Sequence, residues 1–184
     1  MASIASMRRA IAAQLKVVVP GLRTCEPHQG RIDAAELKRV WQATPAVLIA
    51  CLGANKVQVS PGTVRATLRW VAFIVCQAPT GESRDDAALV IADVLLRMIP
   101  EERWGSDEVG RAEQLRAENL YSGTVDRMGV SLWSVTWVQS VELAPMFDAT
   151  LLSDFNHLHA ELDVDRDGTI DPADPVAVLE VPIP

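Results

Sequence analysis

Apolar residues recur at helical spacing from Ile4 through Met7, Ile11, Leu15 and Val18, and Ser3 stands where a helix N-cap belongs. Pro20-Gly21 ends that pattern. "LRTCE" (22–26) reads as a short strand. Residues 33–42 read as a short helix capped by Asp33, with Glu36 three positions on and Leu37, Val40 and Trp41 packing inward. "PAVLIACLG" (45–53) is a continuous apolar run between breakers, the signature of a strand buried on both faces. In "TVRATLRWVAFIVCQ" (63–77) the first half alternates. Val64, Ala66, Leu68 and Trp70 point one way, and Arg65, Thr67 and Arg69 the other. The second half is apolar on both faces, so one end of the outer face is open and basic while the other end is covered.

"GESRDDAALVIADVLLRMIP" (81–100) is the clearest helix. Ser83 and Asp86 form a capping pattern, Asp85 and Asp86 suit the positive helix N-terminus, and Pro100 stops the run. Leu89, Ala92, Leu95, Leu96 and Ile99 form its expected inner stripe. Residues 101–112 read as a long surface loop. Strands follow at 113–122 and 129–143, joined by "GTVDRMG" as a hairpin loop, with Trp133, Val135, Trp137 and Val141 sharing one face of the second. This order predicts an α+β fold: a mostly antiparallel sheet flanked by helices on one side, with a long loop and an extended C-terminal tail. Residues 1–150 are expected to form the body and 151–184 a C-terminal extension.

The 184 residues suit one domain of ordinary size, and 49% hydrophobic content suffices for a core. The net charge of −7 argues against wrapping nucleic acid, which needs Lys and Arg to neutralise phosphates. Cys25, Cys51 and Cys76 are far apart and form no C-x-x-C, so each reads as a buried reduced thiol in a reducing compartment. Gln14 and Lys16 interrupt what would be a signal-peptide core. Apolar runs such as 71–76 are too short to span a bilayer, so a membrane partner is not expected.

"DVDRDGTIDPAD" (163–174) has the spacing of an EF-hand loop. Asp163, Asp165, Asp167, the Thr169 carbonyl, Asp171 and Asp174 stand at the six ligand positions, with Gly168 at the sharp turn. The twelfth position is Asp rather than the longer Glu. Pro175 stops an exiting helix within one turn, and residues 158–164 alternate as a strand would, although Phe155, Leu158 and Leu162 also fit a helical stripe. Two readings stay open: an Asp/Gly turn between extended segments, or a calcium site that clips the tail. Calcium is the only cofactor the sequence suggests, and none is required. On the second reading the protein is a calcium-binding docking or adhesion module.

Other chemistry is sparse. There is no Walker loop, G-x-G-x-x-G, nucleophile elbow or H-E-x-x-H, and no nucleophile, base and orienting group assemble from the pattern, so catalysis is not expected. His157 and His159 read as solvated side chains of one strand face rather than a metal pair. Trp70, Trp133 and Trp137 read as core. Arg65 and Arg69 are candidate interface residues.

In order, the helix "ASMRRAIAAQLKVVVPGLR", the strands "PAVLIACLG" and "RATLRWVAFIVCQ", the capped helix "GESRDDAALVIADVLLRMIP" and the strand "LWSVTWVQSVEL" resemble the tail-terminator, or tail-completion, proteins of long-tailed bacteriophages, especially the Mu-like branch. The resemblance covers most of the chain through element order and general character. It implies a virion structural protein of the tail-neck region, assembled in the host cytoplasm. Such proteins form a ring, usually a hexamer, on the last ring of tail-tube protein. The ring ends tube growth and presents a surface to the neck or head-tail connector, with DNA only as passing cargo. The Arg65/Arg69 face and the acidic tail would then be opposite-sign patches of a heterologous ring contact.

Overall fold

The structure is a computed structural model that describes residues 3–19, 21–60, 63–78 and 83–143, together with residues 158–159 and 178–179. The chain divides into two compact units, Met1–Ala144 and Pro145–Pro184. The first runs α1 (Ile4–Val18), β1 (Thr24–Pro27), α2 (Ala34–Trp41), β2 (Ala46–Ser60), β3 (Thr63–Gln77), α3 (Arg84–Met98), β4 (Val109–Asn119), α4 (Gly123–Arg127) and β5 (Val130–Leu143). In the second, β6 (Leu158–His159) pairs antiparallel with β7 (Val178–Leu179).

Five strands form one sheet in the order β1-β2-β3-β5-β4, antiparallel throughout except for the β1–β2 pair. The fold is therefore α+β with a mostly antiparallel sheet. Its spine is the β3–β5 pair, in unbroken register from Val64 opposite Leu143 to Gln77 opposite Val130. Along β3, Ala66, Leu68, Trp70, Ala72, Ile74 and Cys76 enter one core with α1 and α3, while Val71, Phe73 and Val75 enter a second with α2 and α4.

The long helices thus share one face, as expected, but helices are not confined to it. Parallel neighbours cannot be joined by a tight turn. The crossover from β1 to β2 carries α2, whose Leu37 and Val40 land on the second face. The five-residue α4, in the segment read as a hairpin loop, adds Val125 there.

Local rules place the helix starts. Ser3 and Ser6 form a reciprocal capping box, and Asp33 Oδ1 accepts the Glu36 N–H at 2.9 Å. Replacing Asp33 by Ala should cost about 1 kcal/mol, read by chemical denaturation, because it removes a cap without touching a core.

Helix rotation was less legible. On α3 the buried residues are Ala88, Ile91, Ala92 and Leu95, while the expected Leu89 and Leu96 are exposed. Asp85 sets this rotation: its Oδ1 accepts from Ser131 Oγ and Trp133 Nε1, both at 2.9 Å, which turns Asp85, Ala88, Ala92 and Leu95 toward β5. At the end of α1, Val19 is buried and Val18 is not, because the chain leaves the helix at Val19 with extended backbone. Trp41 is also largely exposed, leaving the burial of α2 to Leu37 and Val40.

Two further expectations change. β2 does not stop at Gly53 but continues to Ser60 across bulges at 51–53 and 55–58, where Gly53 and Lys56 take positive φ. β1 pairs only with residues 46–49, so among the described residues the outer edge of β2 is open beyond them. The segment expected as a surface loop begins with a 3-10 turn, Ile99–Glu101, and buries Trp104, and β4 already starts at Val109. β4, the other edge of the sheet, is bulged twice, with Gln114 at positive φ.

Trp104 is held by Gln139, which is 1% exposed. Gln139 Oε1 accepts from Trp104 Nε1 (2.7 Å) and Trp137 Nε1 (2.9 Å), and Gln139 Nε2 donates to the Glu102 and Gly110 carbonyls, both at 3.0 Å. One amide thereby ties the 102–110 segment to β5.

Candidate functional site

Two surfaces of the first unit combine exposure with charge. One is the half of the second sheet face that α2 and α4 leave uncovered. Alternation along β3 places Arg65, Thr67 and Arg69 there, opposite Glu142, Ser140 and Val138 of β5. Arg65 pairs with Glu142 at 3.0 Å, Arg116 lies 3.4 Å from Glu118, and Arg69 has no ionic partner among the described residues. The neighbouring carboxylates come from other strands and could not be assigned to this face from β3 alone. The face is consequently mixed in charge rather than basic. Beyond it, at the β2–β3 end of the sheet, Val57 and Val59 are 57% and 77% exposed.

The second surface lies at the β1 edge, where α1, β1 and α2 meet. An open pocket of about 780 Å³ is lined by Arg8, His28, Arg31, Asp33, Glu36 and Arg39, among others. His28 organises it. The Gly30 N–H donates to His28 Nδ1 at 3.0 Å, so the proton resides on Nε2, which donates to Glu36 Oε1, also at 3.0 Å. The ring is buried edge-on against Phe73. Gly30 can serve as donor because it adopts φ +98°, a conformation that side chains disfavour.

Glu36 also receives two bonds from Arg39, at 2.6 and 3.0 Å, and Glu26 receives one at 2.5 Å. The Arg39 guanidinium, with His28 adding to it, holds the Glu36 carboxyl below its ordinary range. A carboxylate depressed in the folded state stabilises above its unfolded pKa, and that contribution is lost as pH falls through the folded value. Glu36→Gln should therefore melt below the wild type at pH 7, with the gap closing on acidification. A gap that does not change with pH would mean the carboxylate charge plays no part.

Arg8 is tethered differently. Its Nη1 donates to the His28 carbonyl at 3.1 Å, while its buried Nε has no acceptor among the described residues. Arg31, on the same rim, has no ionic partner among them either.

Two of the cysteines are not poised for reaction. Burial pushes the Cys25 and Cys76 thiols up to about 12, so both stay protonated at neutral pH. Among the described residues no group of three or more His, Cys, Asp or Glu side chains is arranged to hold a metal. Nor is any helix among them long and apolar enough to cross a membrane. Trp70 and Trp137 are core residues, and Trp133 is partly buried with its indole bound to Asp85. The candidate calcium ligands Asp163, Asp165, Asp167, Thr169, Asp171 and Asp174, and also His157, lie outside the described residues. The paired strands β6 and β7 bracket that acidic run in sequence, and Leu158–His159 is strand rather than the helix that would enter an EF-hand.

No family model matches the chain. Over 169 residues, however, it is 29% identical to "Mu-like prophage FluMu protein gp37" of Haemophilus influenzae, across 91% of this chain and 84% of that protein. The chain is a distant homologue of a Mu-like prophage protein. A match of that length cannot be contained in the first 144 residues, so the similarity extends into the acidic C-terminal region as well as the sheet.

Proposed function

We propose that this phage protein is a virion structural component of the tail-terminator type. It forms a ring, most simply a hexamer, that caps the tail tube, ends tube growth and offers the attachment surface for the neck or head-tail connector. The carrying observation is the similarity along 91% of the chain to a Mu-like prophage protein, joined to an α+β body whose elements follow the order on which the tail-terminator resemblance rests.

The physical features fit a scaffold. The sheet is braced on both faces, two thiols are desolvated and stay protonated, and one subunit carries two separate charged surfaces. A ring closes through heterologous contacts, in which unlike patches of successive copies meet. On this reading the partners are other copies of the chain, the tail-tube protein and the connector, and the protein carries out no catalysis.

Electron microscopy of particles assembled without this gene is the test. Tubes of unregulated length, or complete tails that fail to join heads, are the expected result. Normal tails joined to heads would overturn the proposal. In parallel, purified protein should show rings by negative stain.

A further inference from the structure

The net charge of −7 is not spread evenly. Residues 145–184 hold nine acidic side chains and one basic one, so this segment carries −8 and the first 144 residues carry +1. Within those 144, residues 1–45 hold seven basic and three acidic side chains, a net +4 carried by α1, α2 and the segments between them. The pocket at the β1 edge sits in this basic region.

Its guanidinium groups are not equivalent. Arg39 is neutralised by Glu26 and Glu36. Among the described residues Arg8 and Arg31 have no ionic partner. The Arg8 guanidinium is held on the pocket lining through its Nη1 bond to the His28 carbonyl, where its charge favours an incoming carboxylate. Asp33 and Glu36 on the same rim disfavour a compact, doubly charged phosphate. Single carboxylates spaced along an extended peptide can reach Arg8 and Arg31 separately and avoid both.

We infer that the pocket lined by Arg8 and Arg31 is the docking site for the acidic C-terminal segment of a second copy of this chain, centred on Asp163–Asp174. The inference rests on the ring reading above for its second copy and supplies that ring with its contact. An acidic arm from one subunit meeting a basic edge on the next is heterologous and repeats from copy to copy. Charge complementarity of this kind sets register and orientation more than affinity.

The test is a charge swap in the full-length protein, followed by sedimentation velocity at low salt with a chelator present, so that bound calcium cannot mask the carboxylates. Arg8→Glu with Arg31→Glu, and separately Asp165→Arg with Asp167→Arg, should each weaken self-association roughly tenfold or more. Mixing the two variants should restore it, because each then meets a partner of opposite sign. Circular dichroism establishes that both variants are folded, and Arg8→Gln, which removes the charge while keeping a polar side chain, should give a smaller loss in the same direction. Association by either swapped variant at wild-type strength overturns the proposal. So does recovery only when all four changes share one chain and never on mixing, since the segment would then be docking on its own body. A wild-type protein that stays monomeric at every concentration would instead sink the ring reading, so the two failures are distinguishable.

Discussion

Gln139→Leu should lower the unfolding free energy by about 4 kcal/mol, the largest loss expected from a polar substitution among the described residues. Leucine fills similar space, yet it leaves the Trp104 and Trp137 indole N–H groups and the Glu102 and Gly110 carbonyls without their shared partner. Each stranded buried group costs about 1–3 kcal/mol, partly offset by the apolar replacement. For a chain of this size the melting temperature should fall by roughly 8–16 °C.

Gln139→Glu separates hydrogen bonding from shape. The carboxylate can accept both indole donors but cannot donate to the carbonyls, and its charge is buried beside them. Its pKa is therefore raised in the folded state. Relative to wild type, that protein should lose least below about pH 4 and progressively more as pH rises. Thermal melts across pH check both variants. A Gln139→Leu protein melting within 2–3 °C of wild type, or about 1 kcal/mol, would show that the amide does not clamp the 102–110 segment.

Asp85→Ala is the second large effect, at about 3 kcal/mol. The charged acceptor of Ser131 Oγ and Trp133 Nε1 is lost, at roughly 1.5–3 kcal/mol, and with it a negative charge near the N-terminus of α3. Asp85→Asn keeps one oxygen acceptor and should lose only about 1 kcal/mol, the charge-assisted part. If the two substitutions prove equal in urea denaturation, the helix is not anchored through this oxygen. A side-chain probe in the Leu89/Leu96 region should also report greater mobility of α3 in the alanine variant, since the bond that sets its rotation is gone.

These two residues mark where sequence reasoning stopped. The α3 cap and the alternation of β3 were legible because each depends on neighbours in sequence: Ser83 before the helix, and Ala66, Leu68 and Trp70 on one side of a strand. The α3 stripe was not, because Leu89 and Ala88 are equally good helix positions. Only Asp85, by binding residues some 46–48 positions away, decides between them. The extension of β2 to Ser60 was hidden by its bulges, which break the two-residue period on which strand recognition depends. The basic edge was missed for a similar reason. Arg8 comes from α1 and His28 and Arg31 from the loop after β1, and no local pattern brings those two segments together. The one sequence clue was that seven of the first 45 residues are basic while the chain as a whole is acidic. The Arg65/Arg69 face stood out because both residues fall on one strand, although the acids that balance it lie on β5 and β4.

The irregularities at the two margins of the sheet bear on the life of the free subunit. Lys56 and Gln114 turn the backbone out of line on opposite sides, and each margin is interrupted twice. Fibre growth needs a straight, uninterrupted row of main-chain donors and acceptors onto which the next molecule can zip, and neither margin offers one. In the ring proposed above, copies awaiting assembly would thereby be steered away from amyloid, and recognition between them would fall to side chains.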